Sequence, residues 1–504
     1  MSQKSSDINA AYAVRREASE REDVVMFINA CFAATGQQEY YGSAAQNRIS
    51  IDFLHRYVLA NYRTVYRRVL AASVNDFNRA KVLINLLAEG APNDANERAE
   101  EGALIAATLR SLPANRVYAL FARIRRERIN NRRTRATIHR YLQWRRDPAF
   151  DGVKYRNKLR VAVRHAHAEV APSTAAFLFN LQNQKRFENP LYDAFLRSRY
   201  AKEAIYELPY SVAEGFAARR GIPRDEFLRK IEPRMTHAEK QRLQQSAKSH
   251  GISGPQMDLS RTPLTKLALY VLSLPMTQRR QRADELHEAL VGAAKKTLRA
   301  RPLPLGKTAL VLDCSRSTWG SRERRRRPLA VAVALHYLVS VACTQMHSFV
   351  TPGEKSQQRE LSQNQHAFLI EAAGQTDLAS PLLSALRLAP DQILILSDGY
   401  ENDPAGAVGQ IVHAYRERLA ARNPLTIVHA NPVYDGEHFS PKPLADGLVT
   451  IGLRDAEDLG PSLGFARFAA GEATQLELED YLRSLAHDMI EKHCERREHQ
   501  GGEA

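Results

Sequence analysis

Two apolar runs that each end on an aspartate constrain this 504-residue chain more than any other feature. Ala309 to Leu312 leads into Asp313-Cys314-Ser315-Arg316-Ser317, and Ile393 to Leu396 leads into Ser397-Asp398-Gly399. Between them lies Gly374-Gln375-Thr376-Asp377. A short apolar run bounded by turn residues reads as a fully buried strand of a parallel sheet, with helices on both faces. Ligands of such sheets gather outside the carboxyl ends of the strands. The expectation is a doubly wound α/β domain in which the two aspartates and the Thr376 loop converge.

Two carboxylates and three hydroxyls are hard oxygen donors, with no thiolate or imidazole of the kind that zinc or copper selects. Mg2+ is the natural ion and Mn2+ follows closely. Ser315 and Ser317 alternate with Asp313, so an extended loop points all three side chains one way. Five protein ligands leave a sixth octahedral position open. In this order, Asp313, Ser315, Ser317, Thr376 and Asp398 resemble the metal-ion-dependent adhesion site (MIDAS) of von Willebrand factor A domains. The resemblance implies a site that binds rather than catalyses, its open position filled by a partner's carboxylate. An Asp-x-Ser-x-Ser or a strand-ending Asp-Gly is by itself common in turns; order, spacing and strand context together favour the metal. Cys314 sits where a phosphatase nucleophile would, but that chemistry needs an arginine on a phosphate-cradling loop. The next arginines, Arg316 and Arg322, flank bulky Trp319.

With 44% hydrophobic and 25% charged residues, the composition is that of a globular protein of several domains. No apolar run approaches the roughly 20 residues that span a bilayer, and the start lacks the apolar core of a signal peptide. The expectation is a cytoplasmic protein without membrane partners. Cys31, Cys314, Cys343 and Cys494 are too scattered for a disulfide framework or a zinc knuckle and read as reduced thiols. Neither a Gly-x4-Gly-Lys-Ser/Thr loop nor a His-Glu-x2-His pair occurs, and no enzymatic activity is expected.

Charge divides the chain. Residues 1–300 hold 51 Lys+Arg against 30 Asp+Glu, a net of +21, whereas residues 301–504 hold 21 against 26, a net of −5. Within the basic part, residues 101–160 carry 16 positive and 4 negative side chains. Such a concentration predicts a polyanionic partner, nucleic acid ahead of anionic lipid.

The basic part reads as successive amphipathic helices. Val117, Leu120, Phe121 and Ile124 repeat at helical spacing, followed by Ile138, Tyr141 and Leu142, then Leu159, Ala162, Val163 and Ala166. Breakers fall at Pro113, Asp147-Pro148, Pro172, Asn189-Pro190 and Pro209, among others. Short turns between such helices suggest a bundle or a stack of helix pairs, and no repeat of fixed period is present. With 132–146 as one helix, Arg132, Arg135, His139, Gln143 and Arg146 share a stripe opposite the apolar face. The next helix repeats this with Arg156, Arg160, Arg164 and His167. With Arg116, Arg123 and Arg126 they predict an arginine-rich RNA-binding surface, suited to bidentate phosphate contacts and to stacking on unpaired bases. Scattered charges are ordinarily just solvated, but acids at i,i+4 are nearly absent here. His165 and His167 lie two apart, so a helix points them in different directions and they read as ordinary histidines, not a metal pair. The run Arg322-Glu323-Arg324-Arg325-Arg326-Arg327 reads either as a phosphate contact or as local ion pairs.

A basic helical part followed by a von Willebrand-type domain is similar to the Ro autoantigen proteins, whose helical part is the TROVE module. The junction carries the resemblance: Glu285-Leu286-His287-Glu288-Ala289-Leu290, Lys295-Lys296-Thr297-Leu298 and Pro304-Leu305-Gly306-Lys307 lead into the Asp313 strand, and Gln375 to Leu382 resembles the family's Thr loop. The likeness spans roughly residues 280–425, whereas Ser397-Asp398-Gly399 departs from the family's usual Thr-Asp-Asn. It implies HEAT-like α-helical repeats closed into a ring by the von Willebrand factor A domain. The implied domains are 1–300 helical, 301–495 of von Willebrand type, and 496–504 a flexible tail. It further implies a ribonucleoprotein scaffold for RNA quality control or decay. Its partners would be small non-coding Y RNA-like molecules, single-stranded ends of misfolded RNAs and an exoribonuclease. The alternative is a protein-interaction adaptor that presents the metal to an acidic residue of a partner, such as a cytosolic ATPase.

Overall fold

The computed structural model describes residues 2–37, 43–72, 74–236, 239–240, 243, 258–321, 324–351, 359–361, 365–421 and 425–501. They form two compact units, one of Met1–Val82 with Leu259–Ala504 and the other of Leu83–Asp258.

Among its described residues, the unit Leu83–Asp258 contains helices joined by short turns and no strand. The predicted breakers start its helices. Pro113 precedes Ala114–Arg126, the Asp147 carboxylate accepts from Phe150 N at 2.8 Å to cap Pro148–Lys154, and Asn189 caps Pro190–Arg197. Val117, Leu120, Phe121 and Ile124 are buried, as are Ile138, Tyr141, Leu159, Ala162 and Val163. Helix Arg156–Ala166 packs against both Ala114–Arg126 and Arg132–Trp144. One buried acid ties the turn together: Asp151 accepts from Arg145 and from Tyr118 Oη, the latter at 2.8 Å. That bond draws the chain out of the helix after Trp144, so Arg146 lies beyond the helix on which it was expected. This unit holds 32 Lys+Arg against 19 Asp+Glu, a net of +13, which leaves +3 for the other. Residues 83–258 thus hold +13 of the +21 carried by the first 300 residues.

The other unit is built on a six-stranded sheet in the order β3-β2-β1-β4-β5-β6. The strands are β1 Leu305–Leu312, β2 Cys343–Val350, β3 Arg359–Glu360, β4 Gln392–Leu396, β5 Thr426–Asn431 and β6 Val449–Gly452. All pairs are parallel except β2 with β3. Ala309 and Val311 pack with Ile393, Ile395 and Ile427 against Leu382 and Ala385 of helix Ala379–Arg387 and Val408 and Val412 of helix Ala407–Arg418. Helix Arg327–Ala342 packs on β1 and β2, and helices Leu264–Ser273 and Ala283–Ala300 pack on it in turn. The expected α/β architecture is present, with helices from both flanking parts of the sequence around it.

The first strand begins at Leu305, and the compact unit that holds the sheet takes in residues from both sides of it. The N-terminal helix Ser2–Ala33 packs on β6: Asn29 donates to Thr450 O at 3.0 Å and accepts from Gly452 N at 2.9 Å. A Cβ at Gly452 would lie 2.5 Å from Asn29 O, so glycine permits this approach. Thr265 donates from its backbone N and its Oγ1 to the Glu457 carboxylate, at 3.1 and 2.5 Å. At the C-terminus, helix Gln475–Gly501 takes in most of the segment 496–504 expected as a tail, and the remainder lies outside the described residues. Among the described residues, no helix is long and apolar enough to cross a membrane.

Candidate metal centre and nucleic-acid interface

The strand order places β2 on one side of β1 and β4 on the other, so the chain reverses direction across the sheet between β1 and β4. At such a switch point the two loops leaving the strands diverge and open a crevice. Leu312 pairs with Leu396, and Asp313 N donates to Leu396 O at 2.9 Å, which sets Asp313 beside Ser397-Asp398. Asp313 Oδ1 then accepts from Ser315 N at 2.8 Å, and the Ser315 and Ser317 hydroxyls lie 3.1 Å apart. The Thr376 loop is drawn in by its backbone. Ala373 N donates to Cys314 O at 3.0 Å, Arg316 N to Gly374 O at 3.2 Å, and Thr376 N to Asn402 Oδ1 at 2.8 Å. The three loops are thus joined by hydrogen bonds that run from the loop after β1 through Thr376 to the segment after Asp398.

Asp313, Ser315, Thr376 and Asp398 are buried, and Ser317 is half-buried. Ser397 donates to Asp313 Oδ2 at 3.1 Å, and Tyr400 N donates to Asp398 Oδ1 at 3.1 Å. Burial, and then the Asp398 carboxylate, push Asp313 up to about 7. Two buried carboxylates that repel one another beside two serine hydroxyls form a donor set that a hard divalent cation satisfies, and such a cation reverses the push. The residues present therefore fit magnesium or manganese. Burial and then Asp313 push the Cys314 thiol far up, so it is held neutral, the opposite of an activated nucleophile. His429, fully buried beneath the loop, contacts Ser397 O and Thr450 Oγ1, each at 3.1 Å.

The predicted arginine surface divides. Arg116, Arg126, Arg132, Arg135, Arg146, Arg164 and His167 are exposed, while Arg123, His139, Arg156 and Arg160 are half-buried. Arg123 pairs with Glu127 on its own helix, and Arg156 is held by the carbonyls of Phe177 and Leu178. Both were expected to face a ligand, and both have internal partners. Arg160 and Arg164 lie over the Phe179 ring at 6.0 and 5.0 Å. After burial, Arg160 and Arg199 lower Arg156, so these guanidiniums act on one another. His165 Nε2 donates to Ile129 O at 2.8 Å while His167, in a left-handed cap, is exposed, so the two do not form a site.

Several residues of these sites were not singled out from sequence. Ser397 and Asn402 flank Asp398 as unremarkable polar residues, and Arg199 lies outside the predicted stripes. Phe179 ends the apolar run Phe177-Leu178-Phe179, a position that hints at a ring left at the edge of the core.

A mostly helical chain that carries a parallel sheet with a hard-oxygen cradle at its switch point is of the class that joins a helical domain to an α/β domain. Its fold is Ro-like. It is similar to the crystal structure of the Deinococcus radiodurans Ro (RSR) protein, with a TM-score of 0.55 and 16% sequence identity, over 90% of this chain and 100% of that one. The likeness seen at residues 280–425 in sequence thus extends, as fold, over nearly the whole chain. No protein-family model matches the sequence, and no curated protein matches it either.

Proposed function

We propose that this chain is a non-catalytic RNA-binding protein of Ro type. The observation that carries the reading is the net charge of +13 on residues 83–258, with Arg160 and Arg164 on the Phe179 ring and Arg199 among the neighbouring guanidiniums. Guanidinium planes on an aromatic ring suit stacked, unpaired bases, and arginines at the surface suit phosphates. The ligands are small structured RNAs of Y RNA type and single-stranded ends of misfolded RNAs, bound in the cytoplasm by a scaffold that passes them to an exoribonuclease. The α/β part is a von Willebrand factor A domain, and HEAT-like repeats form the helical part. Asp313, Ser315, Ser317, Thr376 and Asp398 hold Mg2+ or Mn2+, which when bound offers one open position to an anionic ligand. The test is binding of a single-stranded RNA at two salt concentrations. A sequence-tolerant affinity that falls steeply with salt supports the reading, and no binding at low salt refutes it.

The paired, buried Asp313 and Asp398 also favour a second reading, that of an adaptor whose metal accepts an acidic side chain of a protein partner, for example a cytosolic ATPase. Its partner would bind equally well with or without RNA and would be released by a chelator.

A further inference from the structure

The arginine run that follows the metal loop is not used by either reading above. Ser315 leads into a tight turn, Arg316–Trp319, which leaves the Trp319 side chain on the surface at 46% exposure. Arg326 lies over that indole at 4.6 Å, and its backbone N donates to Trp319 O at 2.6 Å. Gly320, at φ +76, makes the return possible, since a Cβ there would lie 2.3 Å from Arg324 O. Arg324 donates to Gln37 and Arg327 pairs with Asp455, so these two members of the run have internal partners. Arg325 is exposed and Arg326 half-buried, and no acid pairs with either among the described residues. Burial and then Arg325 oppose the charge on Arg326, and Arg326 Nε is buried with no hydrogen-bond partner among the described residues. Arg322 and Glu323 lie outside the described residues and form no part of the argument.

An aromatic face backed by one guanidinium, with a second, exposed guanidinium beside it, matches one repeating chemical unit: a flat base joined to a phosphodiester. A single carboxylate of a protein ligand would satisfy the charge but leave the indole unused. We propose that Trp319, Arg325 and Arg326 form a single-stranded RNA subsite on the rim of the metal loop. An unpaired base lies on Trp319 and a phosphate lies at Arg325. This rests on the RNA-binding reading and deepens it, because it adds a contact outside residues 83–258.

The chain has two tryptophans, Trp144 and Trp319, which makes the subsite directly observable. In the full-length Trp144→Phe variant the remaining emission comes from Trp319. An unlabelled oligouridylate of about 12 nucleotides, the upper range of a single-strand site, is titrated in. Total binding is followed separately by anisotropy of the same oligonucleotide carrying a fluorescent label. The expected result is quenching of Trp319 with the midpoint of the anisotropy curve, shifted about tenfold by Arg325→Glu. Anisotropy that rises without quenching overturns the subsite and leaves the RNA-binding reading standing. Absence of any anisotropy change overturns both. Quenching by poly-glutamate as strong as by RNA assigns the rim to an acidic protein partner and likewise overturns the proposal.

Discussion

Ser397 donates its hydroxyl to Oδ2 of Asp313 at 3.1 Å, across the seam where β1 and β4 diverge, and accepts from Gly399 N at 3.2 Å. One small side chain thereby fixes the Asp313 carboxylate at the end of β1 and the turn that carries Asp398.

Removing the carboxylate and removing its support should differ in degree. Asp313→Ala is expected to abolish magnesium and manganese binding in calorimetric titration, while affinity for single-stranded RNA stays largely intact. Ser397→Ala keeps the ligands but frees their orientation, so metal affinity should fall roughly 10- to 100-fold. Loss of RNA binding in the aspartate variant would show that the two sites are not separate.

The meeting of the two strand-end aspartates was legible in sequence because strand and loop are contiguous: Val311-Leu312-Asp313 and Leu396-Ser397-Asp398 each announce a buried strand end. The hydrophobic faces of 114–126 and 156–166 were legible for the same reason, since periodicity within one helix predicts burial. What could not be read depends on distant partners. Asn29 meets Gly452 more than 400 positions along the chain, and nothing local in either residue signals the contact. Arg156 lay on a predicted basic stripe, yet its guanidinium is held by two carbonyls of the next helix, because a stripe records direction and not occupancy.

Charge reversal on the exposed face of helix Arg132–Trp144 should weaken RNA binding. In Arg132→Glu/Arg135→Glu/His139→Glu the slope of log K against log salt is expected to flatten by about 0.7 for each phosphate that is no longer neutralised, with metal binding unchanged. An unaltered slope would place the RNA elsewhere. The Arg156→Gln variant should instead lose stability before affinity, since its partners are carbonyls.

The N-terminal helix should be needed by the sheet. Asn29→Ala leaves the buried Gly452 N without its acceptor, a loss of about 1–3 kcal/mol in urea unfolding. A fragment of residues 301–504 lacks the cover on β6 and exposes a strand edge, so it should aggregate where the full chain does not. A soluble, monomeric 301–504 fragment would contradict the packing described for β6.

Acid should destabilise the α/β unit through His336. Burial, then His287, lower this imidazole to about 4, and its Nδ1 is 3.0 Å from Ser348 Oγ. The unfolded chain takes up this proton first, near 6.5, so the contribution is complete above that pH and is lost as pH falls toward 4. The loss reaches roughly 3 kcal/mol, readable as a falling urea midpoint that His336→Gln should flatten.

The most direct test of the central claim is the nucleic-acid content of the full-length protein purified from its own host at low salt, by absorbance ratio and sequencing of what is bound. The account predicts small structured RNAs, or RNAs with single-stranded ends, released as salt is raised. Protein that emerges free of nucleic acid at low salt would contradict it and leave the metal-dependent adaptor as the function.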